Sequence, residues 1–502
     1  MLAWTIYISF LGVLVLMLLP KGNAALARKV ALTTALVGLG IAIAGLVQYK
    51  SAIAVPGAEK IVSVTDVDWV PSLGIKYHLA ADGVSITLVL LTGLAAVAGI
   101  LFSWNIEHRA KEFFAFYLAL IGGVYGVFLS FDLFLLFVFY EIAIVPKYFI
   151  IAIWGSTRRE YGAMKLALYS FIGSAMVLVG LIAAYVVSGA HSFDVTELAK
   201  YPFTPHFQFW AFPLVFVGFA ILAGMWPFHT WAPTGHVAAP TAASMLLAGV
   251  VMKLGAYGCL RVAMTLFPEG LVAWRNCFAI LAIIGIIYGA MVALVQKDFK
   301  FVIGYSSVSH MGFVLLGLMT LNAIGLSGAV LQMFSHGIIA GLLFAVVGRM
   351  VYDRTHTRDL DELQGMGLSK VMPFAAATFV IAGMASMGLP GFSGFAAEFQ
   401  VLIGAWQAFP ALAILTGIGI LVGVAYTLRV LQKAFYGDGE AEAGSENQHE
   451  HEPMPPISVP ERLGAVMLIA ISLLIGLFPR LLLDVIIPSF DSPLFDWLRR
   501  TR

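Results

Sequence analysis

The chain has 502 residues, of which 60% are hydrophobic and 11% are charged, and its net charge is +1. Soluble domains carry about 25% charged residues, so this composition excludes a soluble enzyme and predicts an integral membrane protein. Nucleic acid is not expected as a partner. The two cysteines form no CxxC pair, so the sequence supports neither an iron–sulfur cluster nor a zinc site.

Long apolar runs follow one another from the first residues to the last. A helix needs about 20 apolar residues to cross a bilayer. We therefore predict an all-α, polytopic membrane protein with about 14 transmembrane helices. The runs do not alternate apolar with polar residues, which excludes a transmembrane barrel. The predicted spans are 2–20, 29–48, 86–104, 113–131, 133–154, 164–188, 209–227, 240–261, 271–295, 301–320, 325–350, 372–407, 410–434 and 462–485.

Two of these spans are interrupted. The motif MWPFHTWAP (Met225–Pro233) breaks the seventh span, and GLPGFSGF (Gly388–Phe395) breaks the twelfth. Proline removes a backbone donor, and freed backbone groups are tolerated in lipid only inside protein or beside a wet cavity. A packing kink is the alternative explanation. Paired breaks at matching places are typical of a transporter built from inverted repeats.

The domain prediction follows from these breaks. We expect two inverted five-helix repeats, with discontinuous helices 7 and 12. The predicted divisions are the N-terminal helices 1–3 in 1–112, a first repeat in 113–262, a second repeat in 271–434, an acidic loop in 435–461, and helix 14 with the tail in 462–502.

Basic residues in the loops predict the orientation. With the N-terminus outside, the cytoplasmic loops hold seventeen lysines and arginines and the outer segments hold ten. Cytoplasmic loops carry the excess of positive charge in membrane proteins. The sequence therefore favours both termini outside.

Ionisable residues inside the apolar spans are the candidate functional groups. A charge at the centre of a membrane helix costs about 2.5–3.5 kcal/mol, so such residues usually face the protein interior and serve a function. Acids, lysines and histidines together can form a proton relay. The alternatives are a satisfied core histidine for His310 or His336 and a structural ion pair for Glu141. The candidates are Glu141, Lys253, His310, His336 and Glu398.

Lys147 lies in the same span as Glu141 but six residues later, about 240° round the helix. We expect its long side chain to reach the cytoplasmic surface; pairing with Glu141 is the alternative. The chain has neither a P-loop nor a GxSxG motif, so no nucleotide site or serine hydrolase is predicted.

Four long motifs carry a family resemblance. The segments PFHTWAPTGHVAAPTAASMLLAGVVMKLGAYG, FVIGYSSVSHMGFVLLGL, QMFSHGIIAGLLFAVVGRMVYDRTHTRDL and ASMGLPGFSGFAAEF resemble the M-type antiporter-like subunits of proton-pumping NADH:quinone oxidoreductase, respiratory complex I. That family is related to Mrp-type antiporters. The resemblance covers nearly the whole chain.

The resemblance implies a proton-translocating subunit with no cofactor and no redox chemistry of its own. It implies a bacterial inner (plasma) membrane location. It also implies contact with other membrane-arm subunits, including antiporter-like neighbours, and an indirect link to a peripheral arm with flavin and iron–sulfur clusters. The residues that match the family's proton pathway are Glu141, Lys253, His310, His336 and Glu398, and His229 is a possible further member.

The chain departs from the family pattern in the seventh helix. A lysine is expected seven residues before His229, but Leu222 occupies that position, and 201–252 contain no Lys, Arg, Asp or Glu. Three functions therefore stay open: an active proton-translocating subunit, a structural spacer with an impaired first half-channel, and an Mrp-type cation/proton antiporter component.

Overall fold

The computed structural model describes residues 1–20, 22–55, 57–437 and 454–500, with side chains up to 498. Most of the predicted acidic loop lies outside the described residues. Within these residues the fold consists of fourteen membrane helices, labelled α1–α14, one two-stranded sheet and several short helices. Their bounds are α1 Trp4–Leu18, α2 Ala24–Ile53, β1 Val62–Val70, β2 Ile75–Ala81, α3 Gly83–Phe102, α4 Ala110–Leu129, α5 Leu133–Trp154, α6 Arg159–Ser188, α7 Pro205–Ala238, α8 Thr241–Leu266, α9 Pro268–Val295, α10 Phe299–Met319, α11 Ala323–Thr355, α12 Pro373–Ser386 with Ser393–Ala408, α13 Pro410–Tyr436 and α14 Val459–Leu477.

The helix count confirms the prediction of about fourteen spans. Twelve of the described helices are long and apolar enough to cross a membrane, and Trp4–Leu18 and Pro373–Ser386 are shorter apolar helices. Short helices lie outside these spans; they are Val195–Leu198, Leu360–Gln364, Leu368–Val371, Arg480–Ser489 and Trp497–Arg500.

The predicted helical, polytopic fold is confirmed, with one two-stranded hairpin that the sequence interpretation did not include. Between α2 and α3 the chain forms an antiparallel hairpin of β1 and β2. The sequence VSVTDVDWV alternates small apolar and polar residues, which is the strand pattern and not the helix pattern. We call the end of the bundle that carries this hairpin the hairpin end.

Glycines with positive φ mark both predicted breaks. In α7 the first segment stops at Ala223, Gly224 has φ +80°, and a helix resumes at Trp231. In α12 the first segment stops at Ser386, and Gly388 has φ +73°. Only glycine adopts this conformation without strain, so each break is written into the local sequence.

The helices form a centre and a rim. The most apolar windows of α8 and α11 are completely buried, whereas that of α13 is 28% buried. The bulk of the apolar surface of the rim helices therefore faces outward, as expected for contact with lipid or other membrane chains. The centre is where buried charges cost most and where function is expected.

Matching loop bridges occur at opposite ends of the bundle. At the hairpin end the backbone of Leu133 donates to Phe193, and the Asp132 and Asp194 backbones form a β-bridge. At the other end Phe299 donates to Arg358, with a bridge between Asp298 and Asp359. Each aspartate caps a helix. This is what an inverted repeat of α4–α8 and α9–α13 requires, although the domain boundaries themselves stay a prediction.

Candidate proton pathway

Lys253 lies at the centre of α8. It is fully buried, between two π-helical segments, Leu247–Val251 and Cys259–Ala263. Such segments often occur at functional sites because they free backbone groups. The Lys253 ammonium donates to the Ala248 carbonyl, and its Nζ lies 2.7 Å from Nδ1 of His336.

The contact continues from α11 into α10 and α12. The imidazole rings of His336 and His310 are 5.4 Å apart between centroids. Nδ1 of His310 lies 2.9 Å from Oε1 of Glu398, and its Nε2 lies 3.2 Å from the Ser386 hydroxyl. Gln332 also donates to Glu398 at 3.1 Å. Four of the predicted residues therefore form one file.

The break in α12 lies next to Glu398, the last residue of this file. Glu398 lies on the second segment, one turn past the break, and a Cβ on Gly388 would lie 3.0 Å from Oε2 of Glu398. The loop therefore approaches the carboxylate closely. A small cavity beside it is lined by His310, Ser386, Glu398, Gly419 and Tyr426 among others.

Glu141 lies apart from this file. It is half-buried on α5, where the Ser174 hydroxyl of α6 approaches it. Its Oε1 is buried without a hydrogen-bond partner among the described residues. Leu222 is buried on α7. The structure therefore does not join Glu141 to Lys253 by direct contacts.

Lys147 corrects the sequence interpretation. We expected it to reach the surface, but its side chain is 1% exposed, and its Nζ has no hydrogen-bond partner in the described part of the chain. It lies on the buried face of α5 together with Ala143 and Ile150, so it faces protein. Only Glu141 acts on it as a charged neighbour within the described ranges.

Two histidines lie between the two predicted repeats. His229 is 2% exposed, and its ring contacts those of Tyr288 and Tyr305. His236, which sequence reasoning did not select, is fully buried and stacks on Phe344. Neither ring has a hydrogen-bonded nitrogen within the described residues. Buried polar groups are normally hydrogen-bonded to protein or water, so both positions indicate hydration.

A second missed residue is Lys300, at the start of α10. It is buried and donates to the Ala239 carbonyl at 2.9 Å. It lines a cavity of about 180 Å³ at the end opposite the hairpin. His236 lies within electrostatic range of both Lys300 and Lys253. The available sequence signal was the charge pattern KDFK (Lys297–Lys300), which overlaps the start of α10.

A buried file of lysine, histidines and glutamate beside two broken helices defines a polytopic, antiporter-like membrane protein. The family described as NADH:quinone oxidoreductase/Mrp antiporter, TM matches residues 130–423. NADH-quinone oxidoreductase subunit M of Pseudomonas aeruginosa is 35% identical over 510 residues, covering 99% of this chain and 98% of that one.

Two further comparisons agree. Subunit M of Rhodobacter capsulatus is 37% identical over 439 residues, covering 85% of this chain and 83% of its own length. A chain of respiratory complex I from Thermus thermophilus superimposes with a TM-score of 0.87 at 27% identity, with 99% of both chains covered. The chain belongs to the subunit M branch of this family, the antiporter-like membrane-arm subunits of respiratory complex I.

Proposed function

We propose that this chain moves protons through the membrane arm of respiratory complex I along the file from Lys253 to Glu398. The observation that carries the proposal is the run of contacts through His336 and His310 in the fully buried centre. Every member of the file can hold and release a proton. A purely structural core would not retain four such groups in lipid, where each one is costly.

The residues act by handing on a proton. The Lys253 ammonium donates toward Nδ1 of His336. Nε2 of His336 has no partner within the described residues, so one water can carry its proton to Nε2 of His310 in place of the Ser386 hydroxyl that this nitrogen otherwise faces. Nδ1 of His310 then faces the Glu398 carboxylate, which borders the cavity. Glu398 is the exchange point with the outside.

The setting of the proposal is a bacterial plasma membrane with both termini outside. The chain works with the other membrane-arm subunits, among them antiporter-like neighbours, and indirectly with the flavin and iron–sulfur arm. It needs no cofactor and performs no redox step. Glu141 and His229 belong to the entry half of the pathway, whose contacts are less complete.

The test is proton pumping by reconstituted complex carrying Glu398→Gln. The amide keeps the shape and removes the proton-binding group, so the proton gradient formed per quinone reduced should collapse. Glu269, exposed at the start of α9, provides the matched control Glu269→Gln, which should pump as the parent does. A normal gradient in assembled Glu398→Gln complex would contradict the proposal.

A structural spacer is the second candidate, because within the described residues no hydrogen-bond path joins Glu141 to Lys253. A spacer predicts normal coupling per quinone in both Glu398→Gln and Lys253→Met. An Mrp-type antiporter component is tested by co-purification: peripheral flavin and iron–sulfur subunits support complex I, and their absence supports the antiporter.

A further inference from the structure

Lys147 is a buried amine that the file from Lys253 to Glu398 does not use. Its side chain is 1% exposed. Its Nζ makes no hydrogen bond within the described residues. An ammonium in a dry apolar core would lose its hydration without replacement, which costs several kcal/mol. Either water reaches this amine or the lysine is held there at a large cost for no evident packing gain.

Further unpartnered polar atoms lie on α5 and on the neighbouring helix α6. Glu141 Oε1 and Ser170 Oγ are buried without partners in the described part of the chain. Ser170 lies one turn before Ser174, the hydroxyl that approaches Glu141. Lys147 lies about 9 Å from Glu141 along the axis of α5. Because α5 and α6 are consecutive and run antiparallel, Ser170 is displaced from the level of Glu141 toward that of Lys147.

Lys147 and Glu141 are each other's charged neighbours. Lys147 is the single charged neighbour acting on Glu141, and Glu141 is the single one acting on Lys147, within the described ranges. They form no direct ion pair at 4 Å or less there. A cation and an anion separated in this way, with orphaned polar atoms on both and a hydroxyl between their levels, require bridging water.

We propose that Lys147 is the cationic partner of Glu141, coupled to it through buried water along α5. Lys147 is a positioning residue: its charge holds Glu141 in the state that receives and returns a proton. The proposal rests on the proposed function. It assigns the missing positive charge of the entry half to α5, the helix that carries the acid itself.

The experiment compares four forms of the intact complex: parent, Lys147→Met, Glu141→Gln and the double variant. We expect each single change to lower proton pumping about fivefold and the double to be no worse than either, because residues that act as a unit are not additive. Lys147→Arg should restore most of the activity, since it keeps the charge. A packing role would instead be rescued by Met, which keeps the length.

Three outcomes overturn the proposal. They are a parental pumping rate in assembled Lys147→Met, losses that multiply in the double variant, and a lower pumping rate in Lys147→Arg than in Lys147→Met. A high-resolution map of the parent complex gives an independent readout if a variant does not assemble. Ordered water at Lys147 Nζ supports the proposal, and a dry apolar contact there refutes it. Glu398→Gln is measured beside these variants. If Lys147→Met and Glu398→Gln both pump normally, the proposed function fails. If Lys147→Met pumps normally and Glu398→Gln does not, only the role of Lys147 is refuted.

Discussion

The two halves of the proton pathway hold comparable groups, but those of the second half are hydrogen-bonded to one another and those of the first are not. In the second half of the pathway, which begins at Lys253 on α8, Lys253 lies 2.7 Å from His336 and His310 lies 2.9 Å from Glu398, while the two imidazole rings are 5.4 Å apart. In the first half, Glu141, Lys147 and His229 keep orphaned polar atoms within the described residues. The second half needs water only between His336 and His310, whereas the first depends on water throughout. Substitution of a side chain should therefore lower proton pumping more in the second half of the pathway than in the first.

The largest effect is expected for Glu398→Gln. Its carboxyl group hydrogen-bonds with His310 and accepts from Gln332, so the amide removes the proton-binding end of a connected file. We expect pumping to fall on the order of 100-fold, the scale of a lost acid–base group. The measurement is the initial rate of dye quenching in proteoliposomes driven by NADH, with Glu269→Gln as the control. A loss below about twofold would remove the contrast between the halves.

Lys253→Met should rank next. Methionine fills a similar volume in a fully buried site, so the fold is expected to survive. The variant loses the donor that faces His336 and the charge near His236. We expect pumping to fall about tenfold or more, on the scale of lost acid–base groups.

Lys200→Met, at an exposed position before α7, is the matched control for Lys253→Met. Native gels monitor assembly. Equal pumping by Lys253→Met and Lys200→Met, in equally assembled complexes, would mean that the file bypasses Lys253.

The sequence predicted the second half better than the first, for physical reasons. Glu398, His310 and His336 are expensive in lipid wherever they lie, so their presence alone indicates the interior. Lys147 was misjudged because a long side chain can escape from an apolar helix, and only packing shows that it does not. His236 and Lys300 were passed over because ends of spans usually carry polar residues. The hairpin was missed although the alternation in Val62–Val70 marked it.

The first half should be less sensitive to loss of its acid. Glu141 is half-buried and has one carboxylate oxygen without a partner in the described part of the chain, so water can take over part of its task in Glu141→Gln. We expect a loss of about fivefold, well below that of Glu398→Gln.

Leu222→Lys sharpens this prediction. It adds a second cation on α7, whose Phe219 ring packs against Tyr140 beside the acid. In that background Glu141→Gln should cost more than it does alone. Pumping of the two single variants and the double decides the matter. Complete loss in Glu141→Gln, with no change in Leu222→Lys, would show that Glu141 already has a partner stronger than Lys147.

The smallest effect concerns the matching loop bridges of the two repeats. At the hairpin end, Asp194 pairs with His78 at 2.5 Å; at the other end, Asp298 pairs with Arg358 at 3.2 Å. Burial alone would lower the pKa of His78, but the hydrogen bond and charge of Asp194 outweigh it, so the pKa is raised. Burial alone would raise the pKa of Asp194, but its bonds to His78 and Thr196 lower it.

The sign of the pH dependence follows from these shifts. The contribution of His78 is complete below its unfolded pKa and is lost as the pH rises through the raised folded pKa. That of Asp194 is complete above its unfolded pKa and is lost only as the pH falls through the lowered folded pKa. Alkaline pH should therefore loosen the hairpin end, while Arg358 stays charged and holds the other end.

Amide hydrogen exchange, corrected for the intrinsic rate, measures this difference. Exchange in β2 should accelerate from pH 6 to pH 9, and exchange at Leu360–Gln364 should not. We expect the melting temperature of the complex to change by at most about 1–2 °C, because one ion pair contributes little to so large a chain. Asp194→Asn should abolish the pH dependence in β2 by removing the charge that holds the proton on His78. If β2 responds to pH equally in that variant, the bridge at the hairpin end does not depend on His78, and the two ends differ in sequence but not in behaviour.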